Sequence, residues 1–355
     1  MSAQPMEKDC SGALLAEVRS AIEARQPVKI RGGDTKAFLG RPTIGTEIDT
    51  RCHRGIVSYD PTELVVTVRA GTRLQELEQV LDASGQMLPP ESPVFDSRAT
   101  VGGMVASGLS GPRRPYSGSV RDFVLGCRVI TGTGKHLKFG GEVMKNVAGY
   151  DVSRLMAGSF GSLGLVTEVS LKVLPKPRSM TSAAIQATTG SALRKLASWR
   201  AEGVPISAAC HVDDVLYLRM EGGMGSVKAA RELVGGEEVN PDFWHELREF
   251  KLPFFRDSRP LWRLSLPAAA PHVDLPGYAL TDWGGCQRWL KSDAAPSSIR
   301  ELARRFGGHA TCFTPGVTDD PFQSLPAPLL RLHQRLKEQL DPVGIFNPGR
   351  MYPQF

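Results

Sequence analysis

The stretch from Ala99 to Pro177 reads ATVGGMVASGLSGPRRPYSGSVRDFVLGCRVITGTGKHLKFGGEVMKNVAGYDVSRLMAGSFGSLGLVTEVSLKVLPKP. Two glycine clusters flank its β-rich middle, one from Gly102 to Gly111 and the other from Gly158 to Gly164. Glycine is used where the backbone takes a positive φ or where another group approaches the main chain closely. The two clusters therefore predict a groove lined by backbone, suited to a large flat cofactor with a phosphate tail.

The composition of the chain is that of an ordinary globular protein. It has 355 residues, of which 41% are hydrophobic, and a formal net charge of +6. This length exceeds what one hydrophobic core usually serves, so we expect two domains. The basic residues are dispersed rather than clustered, which argues against a nucleic-acid-binding surface.

The spacing of the cysteines and the length of the apolar runs argue against several other classes of protein. The six cysteines are far apart and form no C-x-x-C pair, so we expect neither an iron–sulfur cluster nor a zinc site, and no metal. The N-terminus lacks an apolar signal core, and no apolar run approaches the ~20 residues of a transmembrane helix. We expect a cytoplasmic protein, at most peripheral on the cytoplasmic face of the inner membrane.

The pattern along the chain predicts an α+β protein. Apolar spacing predicts helices over 11–25 and 72–84, capped by Ser11 and Thr72, and strand signals lie between them. The second half has strands and helices in an order that can build an open sheet with helices on one face. We expect three segments: a cofactor-binding domain over 1–177, a smaller α+β domain over 178–330, and a C-terminal helix and tail over 331–355 that returns to the first domain.

A short loop after the first predicted strand has the residue types of a phosphate site. In Arg31-Gly32-Gly33-Asp34-Thr35-Lys36, backbone amides, a hydroxyl and a lysine charge can meet phosphate oxygens. The alternative is an ordinary β-turn. The loop is neither a Walker loop nor a G-x-G-x-x-G fingerprint.

Two further motifs contain small residues that allow a ring system or a ribityl chain to lie against the backbone. They are the segments 100–111 and 158–167. The alternatives are a glycine-rich loop between domains and a close-packed turn. A third segment, 145–151, places Tyr150 beside Asp151; these side chains either bond each other and fix a loop, or Asp151 caps a helix.

Taken in order, the motifs carry a family resemblance. The GG-x-T loop, the T-x-GG-x-x-A segment, the GSFGSLGLVTEVSLKVLPKP block and a terminal FNPGR resemble the vanillyl-alcohol-oxidase/PCMH class of FAD proteins. Within that class, the chain resembles the E subunits of bacterial glycolate oxidase over nearly its whole length. The runs that carry this are CHRGIVSYDPTELVVTVRAGT, MVASGLSGPRRPYSGSVRDFVLGCRVITG, FGGEVMKNVAGYD, GSVKAARELVGGEEV, DWGGCQRWLKS, GGHATCF and DPVGIFNPGRMY.

The resemblance implies a fold, a cofactor and partners. The fold is a PCMH-type FAD-binding domain of two α+β subdomains with a smaller α+β cap domain. The complex contains a homologous flavin subunit and an iron–sulfur subunit, oxidises the small 2-hydroxy acid glycolate to glyoxylate, and passes electrons to an acceptor such as quinone. By position, the resemblance assigns cofactor contacts to Arg31, Gly32, Gly33, Asp34, Thr35, Lys36, Thr100, Gly102, Gly103, Ala106, Gly118, Ser159, Gly161, Gly164, Val166, Asn347 and Arg350.

Two departures from the relatives affect the expected chemistry. Many relatives attach FAD through a histidine in the first glycine loop; this loop has none, so we expect noncovalent FAD. The related hydroxy-acid dehydrogenases carry a histidine cluster, whereas the corresponding segment here has only His309. A hydroxy acid needs a base, so His309 is a weak catalytic candidate, with a structural role as the alternative. A flavin relay subunit, a stand-alone 2-hydroxy-acid dehydrogenase and a non-catalytic assembly subunit remain open.

Overall fold

A computed structural model describes residues 7–141 and 151–355. The chain divides into two compact units: unit 1 comprises residues 1–109, 119–175 and 324–355, and unit 2 comprises 110–118 and 176–323. The ends of unit 2 differ by a few residues from the expected 178–330, and the segment 110–118 belongs to it. The segment 110–118 belongs to unit 2 because it is bonded to that unit: the Trp283 indole N–H donates to the Gly111 carbonyl at 2.9 Å, and Arg113 pairs with Glu221.

The strands are numbered β1 to β17 in chain order. They are Val28–Arg31, Thr46–Asp49, Ile56–Asp60, Val65–Arg69, Gln86–Met87, Val124–Ile130, His136–Gly140, Leu165–Lys172, Leu174–Pro175, Ser179–Gln186, Ile206–Val212, Val215–Gly222, Glu237–Glu238, Leu261–Ser265, Tyr278–Asp282, Gln287–Lys291 and His309–Cys312.

The helices are numbered α1 to α11 in the same way. They are Ser11–Glu23, Leu74–Ala83, Val101–Ser107, Arg114–Ser117, Val120–Phe123, Val152–Leu155, Thr189–Ala201, Met224–Val234, Phe243–Arg248, Pro296–Arg305 and Ala327–Leu340. Within the described ranges there is no helix with the length and hydrophobicity needed to span a bilayer.

Unit 1 is built on a five-stranded antiparallel sheet in the order β3-β4-β8-β6-β7. Leu74, Leu77 and Leu81 lie at helical spacing on α2 and join α3 and the sheet residues Val66 and Val68 in one buried cluster. A second cluster is formed by α1, the parallel pair β1–β2, and the tail residues 345–346. The C-terminal segment therefore folds as part of unit 1.

A buried ion pair anchors that C-terminal segment. The Lys337 ammonium donates to the Asp341 carboxylate at 2.7 Å and to the carbonyls of Ser162 and Phe346 at 2.7 and 2.8 Å. The Asp341 carboxylate also accepts from the Phe346 N–H at 2.8 Å. Both side chains are buried, so the pair is satisfied without water.

Two expected helix caps are wrong, and one alternative is confirmed. Cys10, not Ser11, occupies the N-cap of α1, and Thr72 instead exchanges hydrogen bonds with the Gly55 backbone. Thr72 is used by a tertiary contact, whereas Ser11 bonds locally, its N–H donating to the Asp9 carboxylate at 2.8 Å. The segment 145–150 lies outside the described residues, but Asp151 caps α6 by accepting from the Arg154 N–H at 3.0 Å.

Unit 2 contains an eight-stranded sheet in the order β13-β10-β12-β11-β15-β16-β14-β17. Helices α7 and α8 pack on β10 to β12, and α10 packs on β14, β16 and β17. Along β14, Trp262 and Leu264 join the α10 cluster. Because side chains alternate along a strand, Arg263 lies on the opposite face.

Candidate functional site

Unit 1 contains a cleft where β1 ends and α3 begins. Its volume is about 280 Å³, near the lower end of ligand pockets at about 300 Å³. This size suits part of a dinucleotide rather than the whole. The lining residues are Lys29, Ile30, Gly32, Gly33, Asp34, Thr35, Lys36, Ala37, Pro42, Thr43, Thr100, Gly103, Ala106, Ser107, Phe160, Asn347 and Arg350.

The loop after β1 presents unpaired backbone amides to the cleft. The N–H groups of Gly33, Asp34 and Thr35 make no hydrogen bond to any residue in 7–141 or 151–355. Asp34 has a φ of +60°. Consecutive amides in such a turn form an anion-binding concavity. Gly33 is buried, Thr35 is half-buried and Asp34 is exposed, so these amides border an open cleft in which a phosphate could accept their hydrogen bonds.

Lys36 adds positive charge at the same place. Its side chain is 9% exposed, and its ammonium lies 3.4 Å from the Thr35 hydroxyl and 5.5 Å from the centre of the Phe95 ring. The ammonium therefore lies beside the Thr35 hydroxyl, and both residues line the same cleft as the amides. The predicted set of amides, hydroxyl and lysine is therefore brought together.

The glycines of this loop are required by the protein's own chain. A Cβ on Gly33 would lie 1.8 Å from the Arg98 carbonyl oxygen, and one on Gly32 would lie 2.6 Å from the Thr100 hydroxyl. The loop is thus pressed against the segment that leads into α3. The sequence indicated a close approach, and the structure identifies the approaching groups as the Arg98 backbone and the Thr100 side chain.

Residues 101–107 of the second glycine motif form helix α3 in unit 1, whereas the end of the motif, residues 108–111, includes the passage of the chain from unit 1 to unit 2. Thr100 caps α3 by accepting from the Gly103 N–H at 3.2 Å. The N–H groups of Val101 and Gly102 donate to the carbonyls of Thr72 and Ala70. The amides of this first turn are therefore used internally, and α3 contributes its small side chains to the cleft. Gly102 faces away, since its Cβ would lie 2.8 Å from the Ala70 Cβ.

The third glycine motif supports the wall of the cleft from behind. Phe160 lines the cleft, and its N–H donates to the Ala106 carbonyl at 2.8 Å. The four residues that the resemblance assigned here lie outside the lining that the described chain forms. Ser159 donates to the Met156 carbonyl, Gly161 packs on Asn347, Gly164 packs on Val129, and Val166 pairs with Val129 within the sheet.

Asn347 connects three separate segments at the cleft. Its side-chain oxygen accepts from the Ile30 N–H at 2.9 Å, and its side-chain nitrogen donates to the Phe160 carbonyl at 2.7 Å. The side chain is 6% exposed. The predicted return of the C-terminal tail to the cofactor region therefore rests on one amide that fixes both β1 and the Phe160 turn.

Arg350 lines the cleft, but its guanidinium is used by the protein. It donates to the carbonyls of Ala37, Leu39 and Arg41 at 3.0, 2.6 and 2.7 Å. Burial lowers the pKa of Arg350. These bonds fix the segment that carries Pro42 and Thr43 into the cleft wall.

Three predicted residues lie elsewhere. Arg31 turns to Glu47 at 2.8 Å and is 3.9 Å from Asp34, outside the lining. Gly118 belongs to unit 2. His309 begins β17 in unit 2 and is exposed. Among the residues described, no group of three or more His, Cys, Asp or Glu side chains is placed to hold a metal ion.

Several lining residues lie outside the predicted set. Phe160 stands within the third glycine motif, and its aromatic ring is the signal that could have indicated it. Pro42 and Thr43 carry no local signal, because the tether from Arg350, about 300 residues away, brings them in. Ser107 follows Ala106 on α3 at the end of the helix.

Comparisons with known proteins identify the family. A family model described as an FAD binding domain matches residues 10–140, which include the amide loop and α3. The glycolate oxidase subunit GlcE of Escherichia coli (strain K12) is 59% identical over 348 residues, covering 98% of this chain and 99% of that protein. The chain belongs to the GlcE family of glycolate oxidase subunits. Its cofactor is FAD, as predicted.

Other relatives match part of the chain. A D-lactate dehydrogenase from Anaerostipes hadrus is 35% identical over half of this chain, and glycolate oxidase subunit GlcD of Bacillus subtilis (strain 168) is 35% identical over 44% of it. The matched parts are 37% and 33% of those two proteins. An alkyldihydroxyacetonephosphate synthase structure aligns with a TM-score of 0.67 at 17% identity, covering 98% of this chain and 75% of that one. The predicted α+β class with its FAD-binding domain is confirmed.

Proposed function

We propose that this chain is the FAD-carrying relay subunit of a complex that oxidises glycolate to glyoxylate. Its family makes it part of an FAD-dependent oxidoreductase acting on 2-hydroxy acids. FAD supplies hydride-accepting chemistry when bound. The observation that carries the proposal is the row of unpaired amides from Gly33 to Thr35 beside Lys36, because it is built for a phosphate.

The cleft residues divide the work of holding the cofactor. The amides and Lys36 would hold the pyrophosphate, since charge-assisted hydrogen bonds are the strong ones. The face of α3 with Gly103, Ala106 and Ser107 would lie beside the ribityl chain. Asn347 and Arg350 would hold the walls of the cleft in place, because their side chains are hydrogen-bonded to backbone groups of the protein.

Noncovalent attachment is proposed from the amide loop, which has Asp34, Thr35 and Lys36 and no histidine. We expect acid precipitation of the yellow protein to leave the flavin in the supernatant. Flavin that stays with the pellet would contradict this.

The partners are proposed from the family and from what the chain lacks. GlcE and GlcD are named as subunits of glycolate oxidase. The part of this chain that the structure describes offers no cysteine cluster for iron and sulfur. Onward transfer of electrons would therefore use an iron–sulfur subunit beside a GlcD-like flavin subunit. Peripheral attachment to the inner membrane would come through that complex.

The proposal is tested with the purified chain. We expect it to bind added FAD, to keep its yellow colour when glycolate is added without oxygen, and to bleach with glycolate once the GlcD-like and iron–sulfur subunits are co-purified. Bleaching of the isolated chain would favour a stand-alone dehydrogenase. A chain that remains colourless after incubation with FAD would favour an assembly role.

A further inference from the structure

Helix α11 of unit 1 exposes a row of leucines, which we name the leucine stripe. Leu329, Leu332 and Leu336 are 41%, 54% and 38% exposed. Their spacing of three and four residues places them on one side of the helix, within about 60° of arc at about 3.6 residues per turn. Single exposed leucines are common on protein surfaces, but a contiguous apolar row marks a contact surface.

The helix is oriented in the opposite way from an ordinary surface helix. An amphipathic helix of a monomeric protein buries its apolar residues and exposes its charged ones. Throughout α11, which the structure describes completely, Lys337 is the residue classed as buried, and its ammonium donates to Asp341 and to two backbone carbonyls. Burying a charge is costly unless it is paired. The fold thus fixes α11 through an ion pair and leaves the leucine stripe facing solvent.

The two flanks of the leucine stripe differ. On one flank the chain's own tail packs against α11, since the His333 ring lies 5.9 Å from the Phe355 ring and 6.4 Å from the Tyr352 ring, centre to centre. On the other flank Arg331 and Arg335 are exposed, and neither has a hydrogen bond or an ion pair to a residue in 7–141 or 151–355. An apolar centre bordered by arginine is typical of a protein–protein interface.

The charges of the open flank favour a partner subunit over two other occupants. Arg331 and Arg335 are complementary to carboxylates at the edge of a partner. A second copy of this chain would present the same two arginines instead. An anionic lipid surface attracts clusters of four or more basic residues, whereas this flank has two, with the exposed carboxylate of Glu338 beside them.

We propose that the leucine stripe is the apolar centre of the surface on which this chain docks a GlcD-like flavin subunit, with Arg331 and Arg335 meeting carboxylates at its rim. The inference rests on the proposed function, in which the chain works beside such a subunit. GlcE and GlcD are both named as glycolate oxidase subunits. A stable interface buries about 800 Å² on each partner, so the leucine stripe forms its centre and polar residues surround it.

The test measures the dissociation constant between the FAD-loaded chain and the purified GlcD-like subunit by biolayer interferometry. We expect Leu332→Asp to weaken binding at least about thirtyfold, as for a residue at the centre of an interface. Leu233→Asp is the matched control, because Leu233 is a helical leucine of similar exposure, 56%, on α8 of unit 2. It should bind like the wild type. Arg335→Gln should weaken binding about two- to fivefold at low salt, and the difference should disappear at 1 M sodium chloride.

The FAD spectrum and the Tm of each variant show that it has folded, and Leu336→Ser repeats the comparison should Leu332→Asp fail to fold. Loss of binding in Leu332→Asp with an unchanged Leu233→Asp supports the proposal. Wild-type affinity in Leu332→Asp, or an equal loss in both variants, overturns it. The proposal also fails if Leu332→Asp instead abolishes self-association, binding to the iron–sulfur subunit alone, or pelleting with phosphatidylethanolamine–phosphatidylglycerol vesicles.

Failure of this inference is distinguishable from failure of the proposed function. A wild-type complex that is bleached by glycolate, and that Leu332→Asp joins normally, removes the docking surface and leaves the relay function standing. A wild-type chain that binds no FAD, or that joins neither of the other subunits, contradicts the proposed function, and the docking surface is rejected with it.

Discussion

The substitution Gly33→Ala tests the amide loop most directly. The added Cβ would lie 1.8 Å from the Arg98 carbonyl oxygen and 2.5 Å from its carbonyl carbon. Both atoms are backbone, so no rotamer change relieves the overlap. Ordinary contact begins at 3.4 Å, so the loop and the Arg98 segment must separate by about 1.6 Å.

This separation affects both the stability of the fold and the affinity for FAD. Overpacking of this kind costs about 1–3 kcal/mol. A displacement of this size also moves the amides out of hydrogen-bond range of a phosphate, and each hydrogen bond to a charged group is worth about 1.5–3 kcal/mol. We therefore expect the dissociation constant for FAD to rise at least about tenfold for each lost bond.

The assay is titration of the flavin-free chain with FAD, followed by flavin fluorescence, together with thermal unfolding. Gly12→Ala in α1 is the matched control, because a Cβ there meets nothing within 4 Å. It should leave FAD affinity unchanged and stability unchanged or slightly higher. Wild-type FAD affinity in Gly33→Ala would refute the assignment of this loop to the phosphates.

Three further predictions concern the frame around the cleft. Asn347→Ala removes the part-buried hydrogen bonds to the Ile30 N–H and the Phe160 carbonyl, so we expect a loss of about 1–3 kcal/mol in urea unfolding; a loss under about 0.5 kcal/mol would contradict the role given to this amide. Lys337→Met leaves the Asp341 carboxylate buried and should cost about 3–5 kcal/mol, part of which Lys337→Met/Asp341→Asn should recover; an unimproved double variant would count against the pairing. Burial lowers the pKa of His53 from 6.5 to about 4. The contribution of the neutral imidazole to the free energy of unfolding is therefore full above pH 6.5 and is lost as the pH falls toward 4. His53→Asn should show a smaller fall in Tm between pH 7 and pH 4.5, and parallel curves would argue against this.

The amide loop and the C-terminal tail show what local sequence can reveal. A strand followed by Gly-Gly, a hydroxyl and a lysine is a pattern contained within a few residues, so the sequence could predict that Gly32 to Lys36 lie together, and in the structure they line one cleft. Asn347 was found through the resemblance. Its actual work, bridging Ile30 and Phe160, could not be predicted because both partners are distant in the chain.

The sequence by itself determined the α+β class, the FAD family and the positions where backbone approaches something closely. Only the tertiary structure decided what approaches: Gly102 meets Ala70, Gly161 meets Asn347 and Gly164 meets Val129, while Gly103 faces the cleft. The reason is that glycine marks a missing side chain without saying which group takes its place. The same holds for charged side chains, because whether an arginine has an ion-pair partner depends on which residues folding brings beside it.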